Sequence, residues 1–352
     1  MDNEADVIPL ENARGASSGG RRCRATAASG RPCRNYAVHG SDLCRIHLTR
    51  RRRTRSDRTE RTAPSVTGRR TRDRTDGDLA QHETGLLGRR LSGDYEVDDF
   101  GYDEQLLRAV LMPAFRPLYE RYFRVRAVGV ERIPTRGPAL LVANHSGTVP
   151  LDAVVMQHAV ASEHPHGRIV RHLAADLIFR VPFAGALARK SGVALACEED
   201  ALELLRRGEL VGVFPEGYKG TGKGWLDRYR LQRFGRGGFA EMALKARAPI
   251  VPVAIVGAEE AYPMIADLKP LARALRLPYF PVTPTFPWLG LLGLVPLPSK
   301  WRLEFGAPIP VDEYPQGAHE DAMMVFDLAD RVRDTVQQMV NRNLAARGSA
   351  FL

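Results

Sequence analysis

From Val125 onward, short apolar runs alternate with stretches whose apolar positions recur every three or four residues. The runs predict strands at Arg126–Val130, Ala139–Ala143, Val193–Ala196, Leu210–Phe214, Ile250–Ile255 and Trp301–Phe305. The three-to-four spacing predicts helices at Leu151–Ala161, Asp176–Lys190, Glu199–Arg207, Gly238–Ala246 and Asp321–Leu344, the last with Met324, Phe326, Leu328, Val332, Val336, Met339 and Val340 on one broad face. Strands that take turns with helices imply an α/β domain with a central, mostly parallel sheet flanked by helices. Upstream, Asp103–Arg124 carries a helical stripe from Leu106 to Tyr122, in which Pro113 and Pro117 are expected to kink or split the helix. Its Arg108, Arg116, Arg121 and Arg124 suit either a membrane-lying face or packing on its own domain.

These patterns stop before residue 101, which divides the chain. Residues 1–20 show no periodicity and read as disordered; 21–47 are a candidate zinc module; 48–100 are a linker, basic then acidic; 101–352 are the folded domain. The net charge of +10 sharpens that division. Residues 14–74 hold 18 arginines, no lysine and 4 acids, hence +14; residues 1–13 carry −4; the remaining chain is therefore neutral. An arginine-rich arm implies an anionic partner, either nucleic acid or an anionic membrane surface. Within it Cys23, Cys33, Cys44 and His47 are spaced C-x9-C-x10-C-x2-H, which resembles small Cys3His zinc-binding modules; His39 is a rival ligand. Three of the four cysteines cluster here and no secretory signal opens the chain, so a reducing, cytoplasmic setting is expected. The longest uncharged run, Leu277–Ser299, holds prolines at 278, 281, 284, 287, 296 and 298 and excludes a continuous spanning helix. It reads as an apolar loop, either packed on the domain or touching a membrane interface through Phe280, Phe286 and Trp288.

The candidate chemistry lies in Gly137–Asp152, GPALLVANHSGTVPLD. A buried strand delivers Asn144, His145, Ser146 and Gly147 to a loop, and Pro150 opens a helix that returns Asp152. Such a histidine–aspartate pair is a candidate general base with its orienting partner. Ser146 lacks the G-x-S-x-G elbow, which disfavours a serine hydrolase. The backbone N–H groups of Ser146–Thr148 are candidate oxyanion donors.

This stretch resembles the first signature of the glycerolipid and lysophospholipid acyltransferase superfamily (1-acylglycerol-3-phosphate acyltransferase-like). There the usual form is histidine, four residues, aspartate; here six residues intervene, which most resembles the monoacylglycerol and diacylglycerol acyltransferase-like branch, where the loop is longer and often contains glycine and a proline before the acid. Three further stretches follow in the superfamily's order. LARKSGVALACEEDALELLRRGE is similar to the second motif, with Cys197 and Glu198 where relatives often carry an arginine. VGVFPEG is similar to the third, and the resemblance implies that Phe214, Pro215, Glu216 and Gly217 bind or position the acceptor; Tyr218 and Lys219 stand where threonine and arginine are usual. APIVPVAIVGAEE, centred on Pro252, is similar to the fourth, a strand lining the acyl pocket. The basic loop Lys219–Lys223, with Arg228, Arg230, Arg233 and Arg236 after it, suits the phosphates of coenzyme A or of an anionic lipid, or is simply solvated.

The resemblance implies an O-acyltransferase at the inner face of the cell membrane. It would move a fatty acyl group from acyl-CoA or acyl carrier protein to a lipid hydroxyl, with His145 as base, Asp152 as partner and Asn144, Ser146 and Gly147 at the substrate. Two readings stay open beside it: the arm as a nucleic-acid or protein interaction module that sets the role, and a lipid ester or thioester hydrolase that uses the same pair with water.

Overall fold

The structure, a computed structural model, describes residues 95–351. The candidate zinc ligands Cys23, Cys33, Cys44 and His47, and the arginine-rich linker, lie outside the described residues. Phe100–Leu352 form one compact unit.

Among the described residues there are nine strands: β1 (Arg126–Val128), β2 (Ala139–Ala143), β3 (Val170–Ala174), β4 (Ala194–Leu195), β5 (Leu210–Val213), β6 (Ile250–Val256), β7 (Ala266–Asp267), β8 (Pro281–Val282) and β9 (Arg302–Phe305). Seven form one sheet in the order β1-β9-β6-β2-β5-β3-β4. From β6 to β4 every pairing is parallel, while β9 runs antiparallel to β6 and carries β1 parallel to itself on the outer edge. The mostly parallel sheet is as expected; the reversed edge is not legible from the alternation of elements. β7 and β8 make a separate antiparallel pair.

Strand β2 shows why the sheet sits where it does. All five of its residues are buried, so its apolar run is continuous rather than alternating, as a strand covered on both faces requires. Leu140 and Val142 join one core cluster and Ala139, Leu141 and Ala143 the other. The first cluster is closed by α3 (Gly238–Ala246) and α6 (Ala322–Arg347), the second by α1 (Leu151–Glu163) and by Tyr119 and Phe123. Between these lie α2 (Glu198–Arg206), α4 (Ala258–Ala261) and α5 (Lys269–Leu275).

Several expectations change. β3 is absent from the sequence reading, because Arg171 and His172 interrupt its apolar run. The single helix expected over 176–190 is two, Asp176–Arg180 and Ala184–Lys190, parted at Val181-Pro182-Phe183, where Phe183 takes a positive φ of 62°. Pro113 and Pro117 do not split the first helix. Its path continues through Glu104–Leu106, Leu107–Leu111, Met112–Pro117 and Leu118–Tyr122, the second and fourth pieces being π-helical, which absorbs the missing proline donors. On α6, Phe326 is exposed and the buried face instead takes Val325 and Ala329. Pro252, expected to line an acyl pocket, is a core residue of β6 that packs beneath Gly306 and Met339 of α6. Among the described residues no helix is long and apolar enough to cross a membrane, and no group of three or more His, Cys, Asp or Glu side chains is placed to hold a metal ion.

Candidate active site

The catalytic candidates stand at the C-terminal ends of the parallel strands, where loops from β2 and β5 converge, the position at which open α/β sheets bind ligands. β2 ends at Ala143, and Asn144 clips the loop to the neighbouring strand. Its Nδ2 donates to the Ile255 carbonyl at 2.9 Å and its Oδ1 accepts from the Ile255 N–H at 2.7 Å. Asn144, a candidate substrate contact by its place in the motif, therefore spends its amide on β6. The loop then turns at Gly147, whose φ is 79° and whose missing Cβ would meet the Ala258 carbonyl oxygen at 3.0 Å. Only glycine passes there without strain.

Despite the longer spacing, Asp152 reaches back. It sits in the first turn of α1, where a negative charge is favoured, and is fully buried. His145 Nδ1 lies 2.7 Å from Asp152 Oδ2. The same oxygen accepts the Ser146 N–H at 3.0 Å, and Oδ1 accepts the Ala153 N–H at 2.9 Å. These bonds fix the carboxylate, and the carboxylate fixes the imidazole with Nδ1–H as the donor. Nε2 is left without a partner among the described residues, on a side chain that is 14% exposed. The Ser146 N–H is thereby committed; of the three candidate oxyanion donors, those of Gly147 and Thr148 have no acceptor among the described residues. The Ser146 and Thr148 hydroxyls are buried and unpaired.

Glu216 is almost wholly buried and does not face an open site. Its Oε1 accepts the His145 N–H at 2.8 Å and its Oε2 accepts the Gln232 N–H at 2.6 Å. It is a strut that ties the β5 loop to the β2 loop. Lys223 completes the strut: its Nζ lies 3.4 Å from Glu216 and 3.1 Å from Glu259, with its side chain 3% exposed. A lysine between two buried carboxylates is a structural ion triad and is not open to a ligand's phosphates. Burial raises the carboxyl of Glu259, an effect that the Lys223 charge opposes. Lys219, by contrast, is exposed, as are Arg228, Arg230, Arg233 and Arg236. Arg228 stacks on Trp225 at 4.3 Å and Arg230 faces Asp227 at 3.9 Å. Gly217, with φ 54° and ψ −140°, opens the short helix Tyr218–Thr221.

Phe214 is the side chain that the site shares with its surroundings. Its ring stacks on His145, with centroids 4.5 Å apart and planes at 28°. On its other side it stacks on His172 at 5.7 Å and 27°. His172, on β3, is 3% exposed, and neither ring nitrogen has a partner. Burial lowers it to about 4, against an upward pull from Asp152, so it is neutral at ordinary pH. Room for it exists because β5 has Gly212 opposite, where a Cβ would meet His172 Nδ1 at 2.5 Å. Sequence reasoning missed His172 along with its strand; a histidine inside the run Ile169–Ala174 was the available signal.

Beyond Phe214 and Pro215 opens a pocket of about 340 Å³, between the starts of α2 and α3. Leu173, Phe234, Phe239 and Met242 line it, with Cys197, Glu198, Arg236 and Glu241. Glu198 is paired with Lys245 at 2.5 Å. Burial pushes the Cys197 thiol up to about 12, so it is neither a nucleophile nor an anion at neutral pH.

A histidine on a loop, a carboxylate that orients it and an adjoining pocket are parts from which acyl transfer could be built. Residues 124–256 match the family model described as Acyltransferase. The chain is 52% identical over 280 residues to the uncharacterized protein Rv0502 of Mycobacterium tuberculosis, covering 79% of this chain and 78% of that one. The chain belongs to the acyltransferase family. A Mycobacterium leprae protein, ML2427, is 51% identical over 277 residues, covering 78% of this chain and 76% of that one. More distantly, the human "DGAT1/2-independent enzyme synthesizing storage lipids" is 27% identical over 227 residues, covering 63% of this chain and 62% of that one. Among solved structures, the 1-acyl-sn-glycerophosphate acyltransferase PlsC of Thermotoga maritima superposes with a TM-score of 0.46 at 20% identity, over 70% of this chain and 85% of that one. The acyltransferase match covers β1 to β6, and so includes His145, Asp152 and the Phe214–Gly217 turn.

Proposed function

We propose that this acyltransferase moves a fatty acyl group from a thioester, acyl-CoA or acyl carrier protein, to the hydroxyl of a neutral lipid alcohol, with His145 as general base. The observation that carries the reading is the 2.7 Å contact between His145 Nδ1 and Asp152, which leaves Nε2 as the acceptor. The alcohol gives its proton to Nε2 as its oxygen attacks the thioester carbonyl. Asp152 holds the tautomer and stabilises the imidazolium that forms. The Gly147 and Thr148 N–H groups are the donors for the developing oxyanion. Collapse expels the thiolate, which takes up the proton from His145, so that an ester and a free thiol leave. No enzyme nucleophile takes part.

The acceptor's class rests on the pocket beside Phe214. Its walls are largely apolar, and its charged lining groups are Glu198, Arg236 and Glu241, with no surplus of positive charge to hold a phosphate. Of the two lysines of the neighbouring loop, Lys223 is occupied by Glu216 and Glu259, and Lys219 is exposed and does not line the pocket. The human relative, named for storage-lipid synthesis, is consistent with a neutral acceptor. Offered monoacylglycerol and lysophosphatidate under the same acyl-CoA, the enzyme is expected to favour monoacylglycerol at least tenfold in kcat/KM. Equal use, or a preference for lysophosphatidate, overturns the neutral-acceptor assignment and leaves the base intact.

A further inference from the structure

The segment between β6 and β9 has a composition that acyl transfer does not explain. From Leu268 to Lys300 there are four basic residues, Lys269, Arg273, Arg276 and Lys300, and no acidic one. Its apolar side chains face outward. Trp288 is 72% exposed, Leu291 83% and Leu292 74%, with Leu289 and Val295 beside them in sequence and also exposed. On α5, Leu271 and Leu275 are exposed one helical turn apart, among Lys269, Arg273 and Arg276. Phe280 and Phe286, expected to meet a membrane, are instead half-buried and packed on each other at 5.5 Å.

Much of the tip's backbone is paired within the tip. Within it the Leu289, Gly290, Leu292 and Val295 N–H groups donate to the Thr285, Pro287, Leu289 and Leu292 carbonyls. The Thr285 hydroxyl donates to the Gly293 carbonyl, and Thr283 Oγ1 accepts the Phe286 N–H. A loop whose polar backbone is paired internally enters hydrocarbon at far lower cost than an open one. Polar side chains from the body hold the tip from behind. Tyr262 donates to the Leu294 carbonyl at 2.8 Å, Tyr122 to Pro296 at 2.6 Å and Arg124 to Pro298 at 2.6 Å. The segment is also tied to the catalytic loop: Tyr279 donates to the Thr148 carbonyl at 2.9 Å, three residues from His145.

From these observations we infer that the β6–β9 segment is a membrane-docking surface that seats Trp288, Leu291 and Leu292 in the interface of an anionic bilayer and brings the His145 loop to the lipid it draws its acceptor from. The inference rests on the lipid-acceptor reading. A bilayer is the occupant that fits. The surface is an aliphatic tip with an indole, the combination that settles at membrane interfaces, and the charges from Leu268 to Lys300 are all cations, which snorkel toward lipid phosphates. A protein partner would need acidic complementarity at the cations and a groove for the tip, neither of which a bilayer requires.

The test uses the full chain and vesicles of phosphatidylcholine with phosphatidylglycerol, the former brominated on its acyl chains. Of the three tryptophans, Trp301 is buried and Trp288 is the exposed one. Tryptophan fluorescence is expected to be quenched on vesicle binding, and Trp288→Phe is expected to remove most of that quenching. The variant Trp288→Ser/Leu291→Ser/Leu292→Ser is expected to lower the rate on vesicle-embedded monoacylglycerol at least tenfold, and to keep the rate on a water-soluble short-chain alcohol within twofold. Binding whose quenching is indifferent to Trp288→Phe would mean that another part of the chain docks, and would overturn the assignment; so would a triple variant with an unchanged rate on vesicles. If the wild-type protein docks through Trp288 yet transfers no acyl group to either alcohol, it is the enzymatic reading that fails and the docking surface that stands.

Discussion

Burial without a partner sets the state of His172, and its consequence is measurable. Its ring is held neutral down to about pH 4, below the ordinary histidine value of 6.5. Between those values the unfolded chain binds a proton that the folded protein refuses, so stability is fully present above pH 6.5 and is lost as the pH falls toward 4. The size of the loss is about 3 kcal/mol, from 1.36 kcal/mol for each unit of displacement. Urea midpoints of the wild type and His172→Phe, followed from pH 7 to 4.5, are expected to diverge, the variant losing less. Parallel curves would show that the acid sensitivity lies elsewhere. The neighbouring His145 was legible in the sequence because histidine and aspartate at a loop mouth have a chemical reason to be there. His172 was not, since nothing in a single strand reveals that Phe214 and Gly212 arrive from β5 to enclose it. Glu216 and Lys223 were legible as important and misplaced in role. A loop's residue types do not say whether a charge faces a ligand or, as here, two buried partners.

β2 and β6 were read from unbroken apolar runs, and they stand in the middle of the sheet for that reason; β1 and β9, which carry charged residues, stand toward its edge. β3 escaped because a strand covered on both faces normally excludes charge, and Arg171 is admitted only by its own arrangement. Its Nε donates to the Gly192 carbonyl at 2.9 Å, and its guanidinium lies over Tyr102 at 4.6 Å. The register of β3 on β5 sets His172 against Gly212. Replacing Gly212 by alanine drives a methyl into the imidazole and into Val170 at 2.8 Å, in a strand interior with no slack. The expected cost is about 1–3 kcal/mol in unfolding free energy. The double variant His172→Ala/Gly212→Ala is expected to recover part of it. A Gly212→Ala protein with wild-type stability, measured by thermal melting, would contradict the packing described for this pair of strands. The π-helical turns at Leu107–Leu111 and Leu118–Tyr122 mark the limit of reading proline as a breaker. A widened turn needs no donor at the proline, so the helix continues.

At the scale of the molecule, one end of the parallel sheet carries everything that acts. The β2 loop brings His145, the proposed base, the β5 loop braces it through Glu216, and the β6–β9 segment ties a cationic, apolar surface to the same loop through Tyr279 and Thr148. The order of motifs along the chain made the α/β class and the location of His145 legible. The reversed β9–β1 edge, the role of Pro252 as core and the outward face of the tip were not, because each depends on contacts between segments far apart in sequence. The charge separation that the sequence does show, a basic arm and a neutral folded remainder, leaves Lys269, Arg273 and Arg276 as a local feature of the β6–β9 segment. The most direct test of the account is a transfer assay with the purified full chain, radiolabelled palmitoyl-CoA and monoacylglycerol, in the wild type, His145→Ala and Asp152→Asn. Labelled diacylglycerol is expected from the wild type. With circular dichroism unchanged, kcat is expected to fall about 10³-fold or more in His145→Ala and about 10²–10⁴-fold in Asp152→Asn. Undiminished transfer by His145→Ala, or labelled free fatty acid in place of the ester whether or not the alcohol is present, would contradict it.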